Sequence, residues 1–135
     1  MKVLNSIRVS AVAAASLLVT AAIPAIAHHS AAPFDMTKKI TVSGTVEKWV
    51  WSNPHSWLYI RTTNANGSQD IWGFEAGSAG MLARNGWNSN DMKMGDKVVV
   101  TASPARTSGK NVGLISAIKL SNGKVLSDGA PVPKY

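Results

Sequence analysis

Residues 40–51 constrain the fold more than any other stretch. Ile40, Val42, Gly44, Val46, Lys48 and Val50 fall on one face of an extended chain, and Thr41, Ser43, Thr45, Glu47, Trp49 and Trp51 fall on the other. A period of two is the signature of a half-buried strand. Glycine inside such a strand marks a bulge or a sharp bend. The expectation is a long first strand, bent at Gly44, that can serve two sheets.

The rest of the chain follows in short elements. Asn53 and Pro54 make a turn, because Asn bonds its own backbone and Pro fixes φ. Residues 56–62 form a second strand. Asn66 and Gly67 give a hairpin signal, and residues 70–75 form a third strand. Ser78 then caps a short helix that runs to Arg84 or Asn85, with Gly86 in the left-handed position after it. Trp87 packs back on the barrel. Residues 97–102 and 112–120 are the fourth and fifth strands. Asn122 and Gly123 turn the chain back through Lys124, Val125 and Leu126.

Three strands, a helix and two strands, with a long glycine-bearing first strand, is the element order of an OB-type barrel. The predicted fold class is all-β with one short helix, an OB-like five-stranded barrel. A small sandwich with the same order is the alternative. The domain plan is a leader over residues 1–27, an N-terminal arm over 28–38, a barrel over 39–126 and a flexible tail over 127–135.

The leader is read from its pattern. Lys2 and Arg8 form a basic start, residues 9–23 are apolar or small, and Pro24, Ala25, Ile26 and Ala27 supply a helix breaker and a small-residue cleavage site. The competing reading is an uncleaved membrane anchor. Cleavage after Ala27 implies a periplasmic or secreted protein with no membrane span in the mature chain. The chain has 0 cysteines, so disulfides and thiolate metal sites are excluded. The formal net charge of +7 is spread along the sequence with no basic run longer than Lys38 and Lys39. A nucleic-acid binder would cluster such charge, so the scatter reads as solubility and the expected partner is not nucleic acid.

Cleavage after Ala27 gives the 3 histidines a particular meaning. His28 becomes the N-terminal residue, and its free α-amine and ring nitrogen can close a chelate on one ion. His55, in the loop between the first two strands, supplies a third nitrogen, and His29 can substitute for His28. Copper favours tetragonal nitrogen ligation; zinc is disfavoured for want of cysteine or a placed carboxylate, Asp35 being the nearest oxygen ligand by sequence. The competing reading is a solvated terminus and a His55 that only caps its turn.

The 5 tryptophans give a second lead. Trp49, Trp51, Trp57 and Tyr59 lie close to the same turn and would form an aromatic platform beside His55. Aromatic faces on OB barrels stack bases or sugars. The alternative is that they fill the core. Catalysis finds little footing: Glu47 and Glu75 lie on different strands with nothing to pair them, and Ser52 or Ser56 near His55 lacks a third partner.

A resemblance adds to this reading. His28, His29 and Ser30, then Phe34 and Asp35, then Gly44, Thr45 and Val46 resemble the opening of an uncharacterised family of small exported bacterial proteins. The likeness continues through Trp51, Ser52, Asn53, Pro54 and His55, Gly77 and Ser78, Arg84, Asn85, Gly86 and Trp87, and Gly95 and Asp96. It spans about residues 28–126. It implies the same fold, export and histidines, and no activity. Two function classes therefore stand: an exported copper-binding protein using His28, His29 and His55, or a metal-free module that takes a small ligand, glycan or periplasmic protein on its Trp-rich surface.

Overall fold

β1 (Ile40–Val50) belongs to two ladders at once. Its first half pairs antiparallel with β4 (Lys97–Pro104), from Ile40 opposite Ala102 to Thr45 opposite Lys97. Its second half pairs antiparallel with β2 (Ser56–Thr63), from Thr45 opposite Arg61 to Val50 opposite Trp57. The strand changes partner at Thr45, next to the glycine expected to bend it. A Cβ on Gly44 would stand 2.6 Å from the Arg61 carbonyl oxygen, so only a residue without a side chain lets β2 approach there. The structure is a computed structural model that describes residues 33–129.

β2 pairs along its whole length with β3 (Gln69–Ala76), and β4 pairs with β5 (Val112–Leu120). The circle closes where Gly73, Phe74 and Glu75 run parallel to Val112, Gly113 and Leu114. This is a closed five-stranded mixed barrel of OB type, with α1 (Ala79–Arg84) between β3 and β4. The β-branched run Val98, Val99, Val100 and Thr101 suits a strand with one buried face. A sixth strand, β6 (Val125–Ser127), covers the edge of β5 beyond the reach of β3, so less of that edge is left open.

Val46, Leu58, Ile60, Phe74, Val100 and Ile118 are fully buried inside the barrel. Leu82 of α1 and Trp87 close one end. The helix caps are those the sequence indicates: the Ser78 hydroxyl accepts from the Met81 N–H at 3.2 Å, and Gly86 has φ +83. The Trp87 Nε1 donates to the Ser127 carbonyl at 2.9 Å, which ties β6 to the helix end. The ordered fold reaches past residues 39–126 in both directions. Phe34, within the expected arm, is 2% exposed and bridges to Ala105, and Ser127, within the expected tail, ends β6. No helix among the described residues is long and apolar enough to cross a membrane.

Asp128 follows β6 and donates its backbone N–H to the Ser116 carbonyl at 3.1 Å. Its Oδ1 is buried with no hydrogen-bond partner among the described residues, and burial raises its carboxyl above the ordinary 3.8. A carboxyl raised on folding favours the folded state most when protonated, and that contribution is lost as pH rises through the folded value. Asp128→Asn removes the buried charge. Its denaturation midpoint should exceed that of the native chain at pH 7, with the gap narrowing as pH falls through the raised folded value and gone below about pH 3.8.

Candidate ligand-binding face

The site residues are aimed by an irregularity in β1. The β1–β2 ladder slips at Glu47: Val46 lies opposite Ile60, but Lys48 lies opposite Tyr59 and Trp49 opposite Leu58. Residues directly opposite each other share a face of the sheet. Ile60 and Leu58 are fully buried, so Val46 and Trp49 point inward while Lys48 and Val50 point outward. A bulge adds one residue and reverses the alternation beyond it.

This corrects the four-residue platform. Trp49 and Trp51 pack against the core instead of facing solvent. Their rings meet edge to face at 5.8 Å, and Trp49 lies 6.1 Å from Trp87. Trp57 and Tyr59 do face outward together. Their ring centroids are 6.2 Å apart with planes 18° from parallel, and both are half-buried. They lean over Gly73 of β3, where a Cβ would meet Tyr59 at 3.4 Å and Trp57 at 4.0 Å. At these distances a Cβ would make ordinary van der Waals contact, so the rings lie close across the neighbouring strand.

His55 stands at the rim of this face. Its Nδ1 lies 3.1 Å from Oε1 of Glu75, the residue opposite Trp57 in the β2–β3 ladder. The approach is close without the alignment of a hydrogen bond, and Oε1 is otherwise buried without a partner among the described residues. Glu75 is only 8% exposed, whereas the His55 side chain is 38% exposed. A buried carboxylate thus stands behind a half-exposed imidazole, on its Nδ1 side. Nothing in the spacing of Glu75 marked it for this role. The β2–β3 register was needed to bring it beside the turn.

The turn itself is held by its serines. The Ser52 hydroxyl donates to the His55 carbonyl at 2.6 Å, and the fully buried Ser56 hydroxyl donates to the Ser52 carbonyl at 3.3 Å. The Ser56 N–H reaches Gly77 O at 3.0 Å and the Ala79 N–H reaches Ser52 O at 3.1 Å, fastening the turn to the start of α1. The Asn53–Pro54 peptide bond is cis. Both hydroxyls near His55 thus serve the loop. Glu47 does not pair with Glu75; it holds Arg61 at 2.9 Å. Asp35 is engaged locally: the Thr37 hydroxyl and backbone N–H donate to it, Lys38 lies 3.3 Å away, and these contacts hold its carboxyl below 3.8.

His28 and His29 lie outside the described residues. Among the described residues no group of three or more His, Asp or Glu side chains is placed to hold a metal ion.

A family model matches residues 14–116. The chain belongs to DUF6152, a family of unknown function. No curated protein matches the sequence. Among solved structures, the chain is similar to the mitochondrial single-stranded DNA-binding protein of S. cerevisiae, at 14% identity and a TM-score of 0.47 over 62% of this chain and 94% of that one. It is also similar to a small single-stranded DNA-binding protein from Streptomyces coelicolor, at 18% identity and a TM-score of 0.39 over 62% and 92%. The expectation that nucleic acid is excluded as a partner does not stand, because it rested on charge scattered along the sequence. Scatter along the sequence was the wrong measure. Arg61, Lys97 and Lys119, far apart in the chain, line one groove.

The two kinds of tryptophan should separate by stability. Trp49→Ala should cost roughly 3 kcal/mol in urea denaturation, as for an aromatic packed on a core. Trp57→Ala should cost about 1 kcal/mol, mainly the lost ring pair.

Proposed function

We propose that this DUF6152 chain is exported, cut after Ala27, and acts as a binding protein whose ligand lies on the outer face of β2 and β3. The observation that carries the reading is the stacked Trp57–Tyr59 pair laid over Gly73, with His55 at its rim. Flat aromatic surface with a polar group at one end suits a ligand with an apolar face and hydroxyls, and the strand 2–3 face of an OB barrel is where oligosaccharides bind. A soluble oligosaccharide is the ligand class this favours. In nuclear magnetic resonance titrations, at least one of a panel of oligosaccharides should shift the Trp57 indole and the Gly73 amide saturably, and Trp57→Ala should abolish the response. Binding that survives Trp57→Ala unchanged, or a panel that leaves both signals still, would count against this face.

One observation favours a second reading, in which the mature protein binds copper. The His55 Nδ1 lies 3.1 Å from a buried carboxylate, and a carboxylate beside one ring nitrogen is common behind histidines that ligate a metal through the other. The remaining nitrogens would come from the α-amine and ring of His28, with His29 as the substitute. The test compares the mature chain beginning at His28 with a twin carrying one extra N-terminal alanine. Calorimetry and electron paramagnetic resonance should show tight copper binding that the added alanine and His55→Ala each weaken strongly. Equal binding by all three proteins defeats the shared site.

A further inference from the structure

A groove of about 540 Å³ lies on the outer surface where β1 changes partner, away from the aromatic pair. Its polar lining includes Ser43, Thr45, Arg61, Thr63, Lys97 and Lys119. The register explains why they converge. Thr45 is directly opposite both Arg61 on β2 and Lys97 on β4, so two cations flank one hydroxyl. Neighbouring strands are about 4.8 Å apart, which places the three groups on one rung. One rung along, Ser43 lies opposite Val99, and Val99 lies opposite Lys119. The Lys97 ammonium donates to the Thr45 hydroxyl at 2.5 Å, so it is drawn in over the rung instead of extending into solvent.

Three cations and four hydroxyls (Ser121 is the fourth) around one concavity make a donor set for a tetrahedral oxyanion, which takes charge-assisted hydrogen bonds from guanidinium and ammonium and neutral ones from hydroxyls. An acidic side chain reaches into this set: Glu47 lies 2.9 Å from Arg61 Nη2, and its side chain is 29% exposed. It occupies one edge of the guanidinium and opposes an incoming anion. The volume falls within the range of small-molecule sites. We infer that this groove binds a phosphate or sulfate group, free or as the ester of a small molecule, on Arg61, Lys97 and Lys119, with Glu47 as an internal competitor for Arg61. The site is independent of the aromatic face.

The test is a titration of the described fold, in the mature chain, with inorganic phosphate, inorganic sulfate and glucose 6-phosphate at constant ionic strength, read from amide shifts. Saturable shifts should centre on Thr45, Lys97 and Lys119. Arg61→Gln and Lys97→Gln should each weaken binding about tenfold, while Lys124→Gln, whose ammonium is paired with Asp91 at 2.8 Å, should leave it unchanged. Glu47→Gln should tighten binding a few fold, a gain that a purely structural role for Glu47 does not produce. Trp57→Ala should leave these affinities as they are, so loss of the oligosaccharide site and loss of this one are told apart. Shifts that follow ionic strength alone, or equal weakening by Lys124→Gln, would overturn the assignment. So would an oligothymidylate that binds far more tightly than the three small anions.

Discussion

The close approach of the Arg61 carbonyl to Gly44 is the contact on which the barrel depends. β1 is the one strand that carries both the β2 and the β4 ladder through its own length, and the two ladders meet at Thr45. A side chain at Gly44 would hold β2 away at the point of crossover. Two residues later the bulge at Glu47 reverses the alternation. Those neighbouring irregularities decide which residues become core and which become surface. Without the bulge, Lys48 would turn toward the interior and Trp49 toward solvent.

Much of this was legible in the sequence because local rules govern it. Period-two patterns, Asn–Gly turns and the Ser78 and Gly86 helix signals act over a few residues, and they delimit β5 at Val112–Leu120 and the helix at Ala79–Arg84. The bulge was not legible, since nothing in Val46, Glu47 and Lys48 announces an extra residue. Glu75 was seen only as a carboxylate without a mate, because its partner is set by β2–β3 register. The grouping of Arg61, Lys97 and Lys119 is likewise a property of strand order. Trp57 and Tyr59 were picked out correctly as neighbours, but Trp49 and Trp51 were grouped with them by distance along the chain.

β2 links the two candidate surfaces. Trp57, Tyr59, Arg61 and Thr63 alternate with the buried Leu58 and Ile60 and the half-buried Thr62, so one strand presents two rings and then a cation and a hydroxyl to the outside. The two halves differ in chemistry and in what lies beneath them. Under the rings lies the backbone of a glycine; beside the guanidinium is a carboxylate.

The parallel contact between β3 and β5 has a consequence for the order of events in folding. Gly73 must wait for Val112, and Glu75 for Leu114. The connection between them runs through α1 and all of β4, so it is among the costliest loops in the chain to close, and folds dominated by such pairings assemble slowly. The first three strands alone could not cover their apolar residues Leu58, Ile60 and Phe74, which in the barrel pack in one core with Val100 and Ile118 of β4 and β5. Closure of this barrel is therefore a whole-chain event that needs β5 in place.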